Sequence, residues 1–572
     1  MAGTKPIVGA AVQVYAAGAT GNGSAGTAML ATALTTDANG VFTVPAGYPC
    51  PAAASQLYVV ARGGQVGSSA SNSAIALATV IGACNQVLAS SQFVINEVTT
   101  AATAWGLSQF LSSGGNVGAS ATNIQGIVNA VATVGNLANV ATGTSPGAAF
   151  PKNATSPAAK INALANLVNN CTAGTPPVSC NPLFSATTPS GGTAPTNTFD
   201  ALLNLVRNPG SNAELLYTQS IFGAVPFAPA LTSAPSDWTM FINYTGAGMK
   251  SPSGVGVDAG GNVWVASYFS AVSEFSPTGN ALFANGITSG GLFHSYGLAV
   301  DAQNNVWVPN EDSTGTGVNG GLGSVTTLSS TGQVTSGPAG YFAGGIYYPI
   351  AVAVDTNATT WVINYGNSSL TQLSSSGQAL SGAKGYMSPK LVFPVAIAVD
   401  SSHNAWLANQ EDVTVTKVSA DGSQFTSYSC CNGASGIAID QRGDVWVANY
   451  YGDSISQLGS DGMVISSGYS DNKASIWHPQ GIAIDGSGHV WVTNYLGSSI
   501  TELAGSGASS PGQILSPTAG YTRDAGLVEA YAVAIDASGN LWVTNFYTNT
   551  LTEIIGLATP VKTPQIGPAQ IP

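Results

Sequence analysis

Charge is what this chain has least of. Only 7% of its 572 residues are Asp, Glu, Lys or Arg, and 13 of them are Lys or Arg. A net charge of −13 with so few, thinly spread cations argues against nucleic acid and anionic membrane as partners. Histidine stops at four and cysteine at six, with no Cys-x2-Cys pair, so a structural zinc site is not expected. The uncharged stretch from Gly63 to Asn96 is broken repeatedly by Ser, Asn and Gln and does not read as a membrane span. Met1-Ala-Gly-Thr-Lys5 has no apolar segment behind it, so no signal peptide is expected in this chain. Gly-x-Ser-x-Gly, His-Glu-x-x-His and phosphate-loop motifs are all missing, which removes the commonest hydrolase and nucleotide routes.

What is present suits several domains. The length predicts three or so, and 44% hydrophobic residues can fill their cores. Low charge with 70 Gly and abundant Ser, Thr and Asn fits a secreted or cell-surface bacterial protein. Six cysteines fit an oxidising compartment, with Cys50/Cys84 and Cys171/Cys180 as expected pairs. Cys430 and Cys431 are adjacent, where a bond would be strained, and buried thiols are the expectation there.

One pattern occurs seven times. Asp-x5-Trp recurs at Asp258/Trp264, Asp301/Trp307, Asp355/Trp361, Asp400/Trp406, Asp440/Trp446, Asp485/Trp491 and Asp536/Trp542. The repeat length is about 45 residues, the signature of an array of small sheets. Each copy reads as an alternating strand (Gly436-Ile-Ala-Ile-Asp440), a turn, the Trp strand (Val445-Trp-Val-Ala-Asn449), a third strand and a variable fourth. Seven four-stranded copies predict a seven-bladed β-propeller over 236–557. Asp237–Tyr244 looks like an orphan fourth strand that completes the last copy and closes the ring.

These repeats resemble the NHL and YVTN families and the propeller of the streptogramin (virginiamycin B) lyases. That resemblance implies a propeller. In the lyases it also implies histidines, a glutamate and Mg2+ that open a lactone by elimination. The lyase histidine position, just before the inner strand, holds Ser253, Tyr296, Ile350, Val395, Ser435, Gln480 and Tyr531 here. The lyase glutamate position, after the Trp strand, holds Ser or Asn, with Glu311 one place late. The family's catalytic set therefore does not carry over.

Ahead of the propeller, residues 1–92 read as a small β-sandwich. Pro6–Tyr15 and Thr35–Val44, joined by an Asp-Ala-Asn-Gly turn, resemble the carboxypeptidase-regulatory module. Residues 93–235 read as a helical domain and linker. Stripes run through Val98/Ala101/Ala102/Trp105/Phe110, Ile124/Ile127/Val128/Val131/Val134/Leu137, Ile161/Leu164/Leu167/Val168 and Phe199/Leu202/Leu203/Val206. The third helix starts at Ser156-Pro157, with Ser as the expected cap. Residues 558–572 carry four prolines and no period, and an extended or disordered tail is expected.

Candidate chemistry follows from the repeat register. His294, His478 and Glu529 stand three residues before an inner strand; with Tyr296 and Tyr531 they form the candidate metal or proton-transfer site. The alternative is that this loop position accepts any residue and these groups are scattered. Asn364, Asn449 and Asn494, followed by Tyr365, Tyr450 and Tyr495, form the candidate ligand-binding set. Amides recurring at one register position also suit turn capping. His403 and His489 fall in turns on the other side.

The leading functional reading is a non-catalytic binding or scaffold protein taking a carbohydrate, peptide or protein partner at the propeller mouth. A lyase-like, metal-dependent enzyme with a rearranged site and a divalent ion such as Mg2+ is the second. A self-assembling extracellular protein, with the sandwich and free tail as contacts, is the third.

Overall fold

Alternation sets the first element. In Ala11–Ala16, Val12, Val14 and Ala16 are buried while Gln13 and Tyr15 are half-buried, the period of two that a one-sided strand requires. This strand pairs antiparallel with Gln56–Arg62, which pairs with Ala76–Ala83; Thr27–Ala28 and Leu34–Thr35 complete the sheet. Ile7–Val8 and Gln65–Val66 form a separate ribbon. The computed structural model describes all residues except 46, 88, 89, 177, 224, 270, 313–317 and 473. It divides into two compact units, Met1–Ile242 with Ile554–Leu557, and Asn243–Glu553 with Ala558–Pro572.

In the first unit the sheet packs on helices. These are α1 (Glu97–Gly106), α2 (Ile124–Leu137), α3 (Ala158–Thr172), α4 (Asn181–Ala186), α5 (Thr198–Arg207) and α6 (Ala213–Ser220). Every residue of α1 is buried, between strand Ala76–Ala83 and helices α2, α3 and α5. Its Thr-rich sequence has modest helix propensity, so tertiary contacts hold it. Asn96 and Thr99 form a capping box. The Thr99 hydroxyl donates to the Ala78 carbonyl at 3.1 Å, and the Ala78 amide donates to Thr100 at 3.0 Å.

Four sequence expectations need correction in this unit. The cap of α3 is Pro157 rather than Ser156, whose hydroxyl instead accepts from the Ala158 amide at 3.1 Å. Ile124 is 58% exposed, because α2 starts there and its first turn faces out. The short α4 and α6 were not expected, since six and eight residues are too few to display a period. The linker before the propeller is pinned to α3: Asn166 donates to the Phe227 carbonyl at 2.9 Å and accepts from its amide at 3.0 Å. The expected disulfides Cys50–Cys84 and Cys171–Cys180 are both present. Cys430 and Cys431, expected as thiols, are bonded to each other.

Among the described residues the second unit contains seven small antiparallel sheets, one per Asp-x5-Trp copy, three of them with three strands rather than the expected four. Within each, Asp and Trp have complementary tasks. Asp485 Oδ1 accepts from the amides of Ser487 and His489 at 2.8 and 3.0 Å, closing the turn, while Oδ2 accepts from Trp491 Nε1 at 3.1 Å. The same indole bond occurs in six copies, and all seven indoles are buried. The inner strand Pro252–Val257 of the first sheet lies against Ala299–Val300 of the second and against Ala530–Ile535 of the last, so the inner strands return on themselves. This arrangement is a β-propeller. The strand Phe241–Tyr244, whose last two residues belong to this unit, lies beside Thr550–Ile554.

The C-terminal segment corrects another expectation. Residues 558–572 have no regular structure, yet Ala558, Val561 and Ala569 are fully buried. The Val561 amide donates to the Asp536 carbonyl at 3.2 Å and the Thr559 amide to Asp485 Oδ2 at 3.1 Å. Thr563, Gln565 and Gly567 line one end of the central channel with Val257, Val399 and Ile439. The segment is extended but not free. Among the described residues no helix is long and apolar enough to cross a membrane.

Candidate ligand-binding mouth

At the channel end opposite that segment, the loop entering each inner strand meets the residue leaving the Trp strand. Ser251, His294, Tyr348, Phe393, Gly433, His478 and Glu529 all take left-handed backbone, with φ between +46 and +67°. Their carbonyls accept the amides of Tyr268, Glu311, Tyr365, Gln410, Tyr450, Tyr495 and Phe546 in turn, at 2.8 to 3.1 Å. One backbone bond per sheet thus fixes a seven-membered rim. The left-handed position explains the placement of His294, His478 and Glu529. The backbone defines it, and the side chain is left to vary.

These three residues do not form one centre. His294 Nδ1 lies 2.7 Å from Asp312 Oδ2 and the ring stacks on Tyr268, centroids 4.3 Å apart. His478 Nδ1 lies 3.2 Å from Asp453 Oδ1 and its ring meets Tyr450 edge-on. Burial, then Glu529, raises the Tyr495 phenol, so Glu529 stands beside a tyrosine rather than a histidine. Among the described residues no three His, Cys, Asp or Glu side chains are placed to hold a metal ion. His489 falls in the far turn as expected, but its Nδ1 is 2.7 Å from Glu502 Oε1 rather than left to solvent.

Asn364, Asn449 and Asn494 are corrected more sharply. All three are buried, as are Asn310, Asn409 and Asn545. Asn494 Nδ2 donates to Ser499 and Thr501 at 3.1 and 2.9 Å, and Asn364 Nδ2 to Ser369 and Thr371 at 3.0 and 2.9 Å. Asn449 does the same to Ser454 and Ser456 at 3.1 and 2.8 Å. These amides lock the second strand to the third and cannot reach a ligand.

The tyrosines behave differently. Inside the rim lies a cavity of about 470 Å3, walled by inner-strand residues such as Ile350, Val395, Gly436 and Ile482. Tyr296, Tyr365 and Tyr531 line it, with Gln410, Gln480, Ser435 and Glu311. Tyr531 stacks on Phe546 at 5.5 Å and Tyr296 lies 4.9 Å from Tyr268. Tyr450 and Tyr495 stand in the rim, 6.0 Å apart. Burial pushes the Tyr531 phenol up to about 12, with Tyr450 and Glu311 adding to it. Burial first, then the Glu311 charge, raises Tyr296 as well. Glu311 is itself held above the usual carboxylate range by desolvation, against the pull of His294.

Glu311 is the residue sequence reasoning set aside. It was counted one place late against the lyase glutamate, yet the rim register puts it where five other copies carry Tyr or Phe and one carries Gln410. A second, larger cavity of about 820 Å3 lies in the first unit, between Ala11–Ala16 and the Val41–Cys50 segment. Its described lining carries no charged side chain.

No protein-family model matches this chain. No curated protein matches it in sequence. Solved structures do match in shape. Virginiamycin B lyase from Staphylococcus aureus is 14% identical, with 55% of this chain and 99% of that chain covered and a TM-score of 0.45. The extracellular domain of a hybrid two-component system from B. thetaiotaomicron is 14% identical, over 58% of this chain and 46% of that chain, with a TM-score of 0.39. A gluconolactonase from Xanthomonas campestris is 15% identical, over 55% and 90%, with a TM-score of 0.33. At these identities and scores the likenesses carry nothing about activity.

Proposed function

We propose that this chain is a binding protein, exported from its cell, whose seven-bladed propeller of NHL/YVTN type takes a carbohydrate, peptide or protein partner at the tyrosine-ringed mouth. The observation that carries this reading is the cavity of about 470 Å3 lined by Tyr296, Tyr365 and Tyr531. A preformed concave site with rigid aromatic faces and a few amides suits recognition. Just outside the rim, Phe269, Tyr451 and Tyr547 are 50, 58 and 73% exposed, an apolar collar that favours a peptide or protein. The disulfides support an oxidising location. We read the N-terminal sheet as one layer of a carboxypeptidase-regulatory-like module.

The test is a panel of immobilised glycans and peptides probed with the full chain and with a Tyr296→Ala/Tyr531→Ala variant. The reading expects a ligand captured by the first and lost by the second. Capture that the variant retains, or none at all, contradicts it.

One observation favours a second reading. Desolvation raises the Glu311 carboxyl beside Tyr296, the direction a general acid needs. A rearranged, metal-dependent lyase-like enzyme would open a streptogramin B lactone and lose that activity in Glu311→Gln.

A further inference from the structure

We infer that the mouth seats an organic cation, an ammonium or guanidinium group, against the faces of Tyr296, Tyr365 and Tyr531 and beside the Glu311 carboxylate. This rests on the binding reading above and narrows its ligand.

The first support is an unmatched charge. Among the described lining residues Glu311 is the only ionisable acid or base apart from the phenols, and no Lys, Arg or His lines the cavity. The nearest base, His294, is committed to Asp312 at 2.7 Å and stacked on Tyr268. Glu311 is half-buried, and its desolvation outweighs the pull of His294, so an incoming cation lowers the cost of its charge.

Aromatic rings in this arrangement are the second support. Tyrosine faces attract a desolvated cation through their quadrupole, and several rings about one cavity do so together. The phenols near Glu311 stay protonated, since burial and its charge both raise Tyr296 and Tyr531. The rings therefore add no competing negative charge.

Charge around the mouth points the same way. Glu411 acts on Tyr365, and Glu529 on Tyr450 and Tyr495, so the rim is acidic. A chain with net charge −13 also gathers cations from solution. The cavity of about 470 Å3 accommodates a trimethylammonium head or the end of a lysine or arginine side chain.

Calorimetry on the full chain tests this with choline and its neutral isostere 3,3-dimethylbutan-1-ol. The cation is expected to bind roughly tenfold tighter than the isostere. Glu311→Gln is expected to remove most of that difference, and Tyr531→Leu to weaken choline further. N-acetyl-lysine amide and N-acetyl-arginine amide form the second arm. If they bind tighter than choline, the cation comes from a peptide side chain; if weaker, it is a free small molecule. Equal binding of the isostere, or binding unchanged in Glu311→Gln, overturns the inference. No detectable binding of any cation also overturns it. In that case tyrosine-dependent capture on the glycan and peptide panel leaves the binding reading standing, and failure there removes both.

Discussion

Tyr244 donates its phenol proton to Glu553 at 2.6 Å, joining a strand that precedes the first sheet to the last strand of the seventh. Asn540 donates to the other Glu553 oxygen at 2.9 Å, and the Tyr244 ring stacks on Trp542. Both partners are buried. Burial, reinforced by Asp536, pushes the Glu553 carboxyl up to about 8.

That shift fixes a sign. The folded state holds this proton more tightly than the unfolded chain, so its contribution is full below the ordinary carboxylate range and fades as pH rises towards 8. Urea midpoints should fall between pH 5 and 8; Glu553 adds at most about 1.4 kcal/mol per pH unit to that fall, and Glu274, raised to about 7 by burial, adds to it with the same sign. Glu553→Gln should reduce that slope. A wild-type slope of the opposite sign would contradict the assignment.

The buried amides predict a stability effect without a ligand contact. Asn494→Ala removes two bonds to Ser499 and Thr501 and the 3.2 Å bond from the Trp477 amide to Oδ1. The expected cost is roughly 2–3 kcal/mol in equilibrium denaturation. A loss below about 0.5 kcal/mol would mean that the amide is solvated after all.

The C-terminal segment predicts a second loss. Removing residues 558–572 uncovers the channel end lined by Val257, Val399 and Ile439 and discards the burial of Val561. The truncated chain should lose roughly 2–4 kcal/mol. Its mouth, at the other end, should keep its ligand. A truncation that unfolds at the same urea concentration would show the segment to be a passive tail.

Divalent metals should leave the protein unchanged. His294 and His478 each sit beside their own carboxylate, and among the described residues no three His, Cys, Asp or Glu side chains are placed to hold a metal. A metal that binds the folded state raises its melting temperature by mass action. Saturating Mg2+, Mn2+ or Zn2+ should therefore give no rise. A rise that His294→Ala/His478→Ala abolishes would restore a metal site.

Much of the fold was legible because Asp-x5-Trp is a complete local unit. Asp485 closes its own turn and receives the Trp491 indole within seven residues. The mouth tyrosines were legible for the same reason, since register alone put Tyr296, Tyr531, Tyr365, Tyr450 and Tyr495 on one end. What failed was exposure. Asn494 and Tyr495 are neighbours, yet one is buried in its sheet and the other stands in the rim. The missed signal was in the third strand, where Ser499-Ile-Thr501, Ser369-Leu-Thr371 and Ser454-Ile-Ser456 repeat a hydroxyl pair that a buried amide requires. The C-terminal segment failed differently. Its prolines rule out helix and sheet, but its partners Asp485 and Asp536 are distant in sequence, and nothing local announces them.

The central claim is that the tyrosine mouth is where this protein meets its ligand. The most direct measurement compares two variants of the full chain on one glycan and peptide panel. One is Tyr296→Ala/Tyr531→Ala; the other is Arg442→Ala, in an exposed turn at the opposite channel end. The account predicts that the tyrosine variant loses the captured ligand and the Arg442 variant keeps it. A ligand lost by Arg442→Ala and kept by the tyrosine variant would contradict it.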